Sequence, residues 1–294
     1  MNRPTSPGRT VRSHSVRAIL AACLSAAPFL AAAPSLAAPA PVPGHASASA
    51  AGAPVALAAH KAVYDLTLSS THGGGTVAAS GSMSFQITDA CTGWASQQQL
   101  HLQLVTREGQ SSDMLSNYAT LESKDGRHLT FDMQERDNGS TTQQVRGEAS
   151  VDSTGLGTIH FTLPAASTMA LPRGTLFPMA HTAAIIAAAQ AGRTSIDPVL
   201  FDGTSADGPT DSYVTILGWK PAPAQSDYPF LKAQASGRVH VAFFARKPGT
   251  ITPDYEVGMR YFADGVSDQL DMDFGDFTMH GTLRSFVPGK PARC

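Results

Sequence analysis

Cysteine is scarce in this sequence: Cys23, Cys91 and Cys294 are the only three among 294 residues. No CxxC pair is present, which removes the usual signature of a zinc ribbon or a thioredoxin-like redox site. The sequence also lacks a P-loop, an HExxH zinc motif and a GxSxG nucleophile elbow. We therefore predict no catalytic, cofactor-binding or metal-binding residue from motifs, and we expect neither a cofactor nor a metal.

Charge is also sparse, at 15% of the residues, with 21 Lys and Arg against 23 Asp and Glu. Four of the arginines lie in residues 1–17, which contain no acidic residue. Without that segment the chain keeps 17 basic and 23 acidic side chains, a net charge of −6. A mildly acidic surface does not favour nucleic acid or an anionic membrane as a partner.

The N-terminus has the pattern of a secretory signal peptide. The basic residues 1–17 are followed by the apolar stretch "AILAACLSAAPFLAAA" and by small residues at Ser35 and Ala37. We predict a signal peptide over residues 1–37, with cleavage near Ala37. The apolar stretch is shorter than the roughly 20 residues that a membrane span needs, so an N-terminal membrane anchor is the second alternative.

The segment "LAAC", residues 20–23, imitates a bacterial lipoprotein cleavage site. Almost no apolar segment precedes it, and the apolar stretch continues after Cys23, where a mature lipoprotein would be polar. We therefore expect Cys23 to leave with the signal peptide. Residues 38–57 consist mainly of Ala, Pro, Gly and Ser, so we predict a disordered leader there and one ordered domain over residues 58–294.

Two cysteines, Cys91 and Cys294, remain in the exported chain. An even number of cysteines in an oxidising compartment predicts a disulfide between them. In the chain-entropy model, a disulfide that closes such a large loop stabilises the fold by roughly 5 kcal/mol at most. Two free thiols, one of them catalytic, are the alternative, but neither cysteine has a histidine near it in the sequence.

Period-two alternation dominates the sequence after residue 60. "GSMSFQI" places Met83, Phe85 and Ile87 on one side, and "QQLHLQLVT" does the same with three leucines. Such alternation is typical of strands with one buried face, and about a dozen or more segments fit it. Pairs such as Asp125-Gly126 favour tight hairpins between them.

One Ala-rich segment departs from this alternation, and we predict a helix at about Ala180–Ala191, ending before Gly192. Many antiparallel strands with one helix favour a barrel or a strongly curved sheet. An outer-membrane barrel is the alternative. It is disfavoured because the strands are irregular and no aromatic girdle repeats.

Paired carboxylates offer the best catalytic alternative. Asp271 and Asp273 in "DMDFGD" share one strand face, and two carboxylates could serve acid–base chemistry or bind calcium. The loop does not match the calcium template, and the alternation also fits a charged face in solvent. The strand histidines His101, His160 and His240 are scattered in the same polar positions and fit solvent-facing residues better than metal ligands.

Several stretches taken together resemble the cell-envelope integrity EipB family of alphaproteobacterial periplasmic proteins. Their order and spacing run through nearly the whole predicted domain. They are "DACTGWASQQQL" around Cys91, "YATLESKDGRHLTF" (118–131), "VRGEA" (145–149), "LPRGTLFPMAHTAAIIAAAQAG" (171–192), "FDG" (201–203) and "PDYEVGMRYFADGVSDQLDMDFGDFTMHGTL" (253–283).

This resemblance implies a periplasmic β-spiral, an incompletely closed barrel of about fourteen strands with a helix at one side. It also implies a disulfide between the "ACTGW" cysteine and one near the C-terminus, here Cys91 and Cys294. The family's role is to maintain the cell envelope, and the fold is similar to the periplasmic lipoprotein carriers that hold acyl chains in a half-open barrel. Fold analogy alone does not establish function.

We therefore expect a non-catalytic periplasmic protein, a monomer, that supports envelope integrity by binding a lipid, a lipoprotein or a protein partner. The alternative is an envelope hydrolase with a carboxylate site near Asp271 and Asp273. A purely structural module that binds a protein partner cannot be separated from the first hypothesis by sequence.

Overall fold

The structure is a computed structural model that describes residues 55–73, 75–290 and 292–294. The predicted signal peptide (1–37), with Cys23, and the predicted leader (38–57) up to residue 54 lie outside the described residues. Among the residues that are described, no helix has the length and apolar character needed to cross a membrane.

Strands account for most of the described chain. They are β1 His60–Thr71, β2 Thr76–Asp89, β3 Gly93–Thr106, β4 Ser111–Ser123, β5 His128–Asp137, β6 Ser140–Val151, β7 Gly157–Leu163, β8 Ser167–Leu171, β9 Ser195–Ile196, β10 Val199–Leu200, β11 Thr210–Lys220, β12 Ser236–Ala245, β13 Tyr255–Phe262, β14 Ser267–Asp273 and β15 Phe277–Pro288. The helices are α1 Pro178–Gln190, after β8, and α2 Pro229–Lys232, after β11.

All fifteen strands belong to one antiparallel sheet, in the order β10-β11-β12-β13-β14-β15-β1-β2-β3-β4-β5-β6-β7-β8, with β9 paired to β11. Most neighbours follow one another in the chain, and the pairing of β15 with β1 joins the two halves. In the described residues β8 and β10 do not pair with each other, so the sheet curls without closing. The predicted mostly-β, incompletely closed barrel is confirmed.

The alternation read from the sequence corresponds to the inner and outer faces of this sheet. Leu100, Leu102 and Leu104 of β3 are buried, while Gln97 and Gln99 between the inward positions are exposed. Inward side chains of β1–β4 and β11–β15 form one large apolar cluster with α1. A second cluster lies under β5–β8.

The second cluster is centred on Phe131, Phe161 and Phe201, whose rings meet edge to face at centroid distances of 5.3 to 6.2 Å. Phe201 follows β10, so these contacts fasten the segment after β10 to the inner face of β5 and β7. Gly203, two residues later, has φ +77° and passes against the Phe131 ring, where a Cβ would overlap it. The fold therefore needs glycine at this close approach.

Helix α1 agrees with the predicted segment to within two residues at its start. Pro178 occupies the first helical turn, and Gly192 follows the C-cap with φ +72°, the left-handed conformation that favours glycine. The N–H of Arg193 donates to the carbonyl of Ala188 at 3.0 Å and so closes the helix end. The four-residue α2 was not predicted, because a single turn shows no helical period in the sequence.

Cys91 and Cys294 form a disulfide, with Cα atoms 5.8 Å apart and a sequence separation of 203 residues. Cys91 lies in the turn between β2 and β3, whereas Cys294 ends the segment after β15. The bond therefore ties the C-terminal segment to a hairpin near the start of the fold.

Candidate ligand-binding cavity

An apolar cavity of about 460 Å³ lies inside the curled sheet. Six of the nine methionines in the chain face it, from five strands and from α1: Met83, Met114, Met133, Met179, Met259 and Met272. Methionine is unbranched and polarizable, so its side chain adapts to irregular apolar surfaces. A wall built in this way can follow ligands of different shape.

Aromatic rings complete one side of the cavity. The rings of Phe243 and Tyr255 stack at a centroid distance of 6.0 Å, and Tyr255 meets Phe274 at 5.6 Å. These residues come from β12, β13 and the turn after β14, so three neighbouring chain segments hold the rings in a continuous surface. Aromatic side chains supply large apolar contact areas with little conformational freedom.

Two of the four tyrosines that line the cavity, Tyr64 and Tyr118, use their hydroxyls in hydrogen bonds within the protein. The Tyr64 hydroxyl donates to the carbonyl oxygen of Ser267 at 2.7 Å, and that of Tyr118 donates to the carbonyl oxygen of Asp202. Burial raises the pKa of both phenols. The hydroxyls thus remain protonated donors within the protein, and their rings present an apolar surface to the cavity.

The charged side chains at the cavity lie on β5, in the segment before β11 and in the segment between β12 and β13. They are Glu135, Asp202, Asp207, Arg246, Lys247 and Asp254. Arg246 pairs with Asp211, and Lys247 lies 3.8 Å from Asp207. The cavity therefore combines an apolar wall with a charged margin, the usual composition of a ligand site.

A buried glutamate anchors α1 against this cavity. Glu122 of β4 is 1% exposed, and its two carboxylate oxygens accept the N–H groups of Met179 and Ala180 at 2.7 and 2.9 Å. The helix has no side-chain cap of its own at Phe177, so Glu122 satisfies two of its free N–H groups. Burial raises the pKa of Glu122 to about 7, and the two hydrogen bonds oppose this rise.

A buried histidine connects the same helix to β11. The Nε2 of His181 lies 2.9 Å from the hydroxyl of Ser212 on β11, and that hydroxyl also lies 2.9 Å from the carbonyl of Pro198. Burial lowers the pKa of His181 to about 4. Glu122 and His181 thus connect α1 to β4 and to β11 through buried polar contacts.

The predicted carboxylate pair lies elsewhere, on the outer face of β14. Asp271 pairs with Arg238 and with Nδ1 of His280, the latter at 2.8 Å, and Asp273 lies 3.8 Å from Nε2 of His72. Their side chains are 41% and 40% exposed. Neither residue lines the cavity, so the structure does not place them in an enclosed site.

The strand histidines also stand in local polar contacts. His101 pairs with Asp113 at 3.0 Å, His240 pairs with Glu256 at 2.8 Å, and His160 lies 3.2 Å from the hydroxyl of Thr168. Within the described part of the chain, no three His, Cys, Asp or Glu residues come together as metal ligands.

A second concave surface, of about 550 Å³, lies on the outer face of β1–β6. Amide side chains of neighbouring strands form most of its floor: Gln86, Gln97, Gln99, Asn117, Gln134 and Gln144. Gln99 and Asn117 pair across β3 and β4, and the Gln99 amide donates to Asn117 Oδ1 at 2.9 Å. Such a surface is well hydrated and does not suit an apolar ligand.

Sequence reasoning missed both the methionine wall and Glu122. The signal for Glu122 was present, because "YATLE" places it at the inward parity of Tyr118 and Thr120. The methionines also fall at inward positions. Alternation marks which residues face inward, but it does not tell whether the interior is filled or left open.

Comparison with known proteins gives one consistent result. The model of the EipB-like family matches residues 51–289. The chain is 26% identical over 246 residues to the "Cell envelope integrity protein EipB" of Brucella abortus, covering 82% of this chain and 87% of that protein. A crystal structure of a beta-barrel-like protein of a domain of unknown function, also from Brucella abortus, superimposes with a TM-score of 0.73 at 25% identity and covers 80% of this chain and 100% of that one.

Proposed function

Because this chain belongs to the EipB-like family, whose Brucella abortus member is named for cell-envelope integrity, we propose that it supports the envelope as a non-catalytic periplasmic binding protein. Its ligand in this proposal is an apolar chain, as in a lipid or the acylated end of a lipoprotein. The methionine-lined cavity carries the proposal. We infer that the protein acts as a monomer.

The size and lining of the cavity agree with an acyl chain. A volume of about 460 Å³ lies in the usual range of small-molecule sites, about 300 to 1,000 Å³. Each methylene moved out of water contributes about 0.8 kcal/mol, so a fully enclosed twelve-carbon chain would contribute roughly 9 kcal/mol before the costs of association. This is enough for measurable binding without a strong polar contact.

Uptake of a fluorescent fatty-acyl probe by delipidated protein tests this proposal. We expect saturable binding with one probe per chain. Met114→Trp, at the cavity wall, should weaken binding at least about tenfold because the larger ring fills the space. Leu115→Trp is the matched control, since Leu115 is the next residue of β4 and lies on the outer face.

Two results would contradict acyl binding. In the first, delipidated wild-type protein takes up no probe above background. In the second, Met114→Trp binds the probe as well as Leu115→Trp while both variants remain folded by circular dichroism. In either case the cavity is not the binding site.

The alternative hydrolase would use Asp271 and Asp273. We propose a non-catalytic role because both carboxylates are exposed on the outer face, in contact with Arg238 or histidine side chains, and neither lines the cavity. If Asp271→Asn abolished an envelope-hydrolysing activity of the purified protein without altering its fold, the non-catalytic proposal would be wrong.

A further inference from the structure

The charges around the cavity are not balanced in sign. Four carboxylates line it, against two basic side chains, and both basic side chains already have acidic partners. Arg246 pairs with Asp211, which itself lies outside the cavity lining, and Lys247 lies near Asp207. Any charged end of a ligand therefore meets a margin that is acidic overall.

Three of the acids, Glu135, Asp202 and Asp254, form no ion pair within the described residues. Glu135, half-buried on β5, accepts a hydrogen bond from the Thr142 hydroxyl at 3.1 Å through Oε1. Asp202 accepts the N–H and hydroxyl of Thr204 at 2.9 and 2.8 Å through Oδ1. Asp202 and Asp254 each accept a backbone N–H, from Thr204 and from Ala245. Glu135 accepts only a side-chain hydroxyl, and its Oε2 has no protein donor among the described residues.

The chemistry of Glu135 favours one sign of ligand charge. Burial raises the pKa of this carboxyl, because desolvation of its charged form exceeds the compensation from its hydrogen bond with Thr142. A positive group beside it would restore that compensation, whereas a second carboxylate or a phosphate would add repulsion in a partly dehydrated site.

We propose that the cavity selects single-chain amphiphiles whose polar end carries an ammonium group, and that Glu135 contacts this group. The inference rests on the proposed binding of an apolar chain: the methionine wall holds the chain, and the Glu135 carboxylate sets the preference for the head. Amine-bearing lipids and the free amino end of an acylated peptide share this chemistry.

A matched ligand series tests the inference. A neutral fluorescent acyl probe is bound to delipidated full-domain protein at pH 7.5 and low ionic strength, and it is displaced by dodecylammonium, dodecanol or dodecanoate below their micelle concentrations. We expect dodecylammonium to displace the probe at a concentration about tenfold lower than dodecanoate, with dodecanol between them.

Glu135→Gln keeps the side-chain shape and removes the charge, so it should bring the ammonium and carboxylate ligands to within about threefold of each other. Glu148→Gln is the matched control, because Glu148 is an exposed carboxylate on the outer face of β6. This variant should keep the full preference. Displacement by dodecanol should be unchanged in both variants.

Each outcome separates the two proposals. If all three ligands displace the probe equally, or dodecanoate does so best, the head-group preference is refuted while acyl binding stands. If the preference survives Glu135→Gln, the assignment to Glu135 is refuted. If the neutral probe itself does not bind, acyl binding fails first.

Discussion

Replacing Glu122 by glutamine should change how the stability of the protein depends on pH. Glu122 is buried against the start of α1, where its carboxylate accepts two backbone N–H groups. Glutamine has nearly the same shape and resembles the neutral carboxylic acid. The variant therefore removes the titration of this group while leaving its packing in place.

Burial raises the pKa of Glu122 from its ordinary value of 4.5 to about 7. Between these values the folded protein binds more protons at this site than the unfolded chain. The free energy of unfolding therefore falls as the pH rises through this window, by about 3 kcal/mol in total. The stabilisation that protonated Glu122 adds to the free energy of unfolding is complete below pH 4.5 and lost above pH 7.

His181 has the opposite effect over nearly the same window. Burial lowers its pKa from 6.5 to about 4, so the unfolded chain binds more protons between these values and the free energy of unfolding rises with pH by a similar amount. The two groups largely offset each other in the wild type. In Glu122→Gln only the contribution of His181 remains, so the free energy of unfolding of this variant should rise with pH over this window.

Urea unfolding at pH 4.5, 5.5, 6.5 and 8, followed by tryptophan fluorescence and circular dichroism, measures the effect. We compare the free energy of unfolding of Glu122→Gln with that of the wild type. Between pH 4.5 and pH 8 this difference should shift by about 3 kcal/mol in favour of the variant. Glu148→Gln, an exposed outer-face control, should shift little. A difference that stays flat, or that shifts towards the wild type as the pH rises, would refute the reasoning and show that the helix N–H groups outweigh burial.

Three further predictions concern the fold. Cys294→Ser should lower the free energy of unfolding by up to about 5 kcal/mol, since the bond closes a separation of 203 residues; urea midpoints that match with and without the bond would contradict this. Gly203→Ala should cost at least about 2 kcal/mol, because of the positive φ and the overlap with the Phe131 ring, and an unchanged melting temperature would contradict that close approach. Phe201→Ala should cost about 3 to 5 kcal/mol by thermal unfolding, whereas a loss below about 1 kcal/mol would show that this aromatic cluster is not a tight part of the core.

The sequence determined the strand faces because this information is local. In β3, the leucines at 100, 102 and 104 face inward and the glutamines at 97 and 99 face outward, as alternation requires. Helix α1 could also be read from a short stretch, since Pro178 and Gly192 mark its ends. The two-residue strands β9 and β10 and the single-turn α2 are too short to carry a period.

The cavity and the position of Glu122 were decided by tertiary structure. A residue in a filled interior and a residue at an open cavity both occupy inward positions of a strand, so alternation does not distinguish them. The curvature of the whole sheet, to which the pairing of β15 with β1 contributes, decides whether a cavity is left. Glu122 meets Met179, 57 positions later, and Glu135 borders the same cavity as Lys247 although over a hundred residues separate them. Such long-range neighbours leave no local pattern, so the residues proposed to bind a ligand became visible only when the strands were assembled.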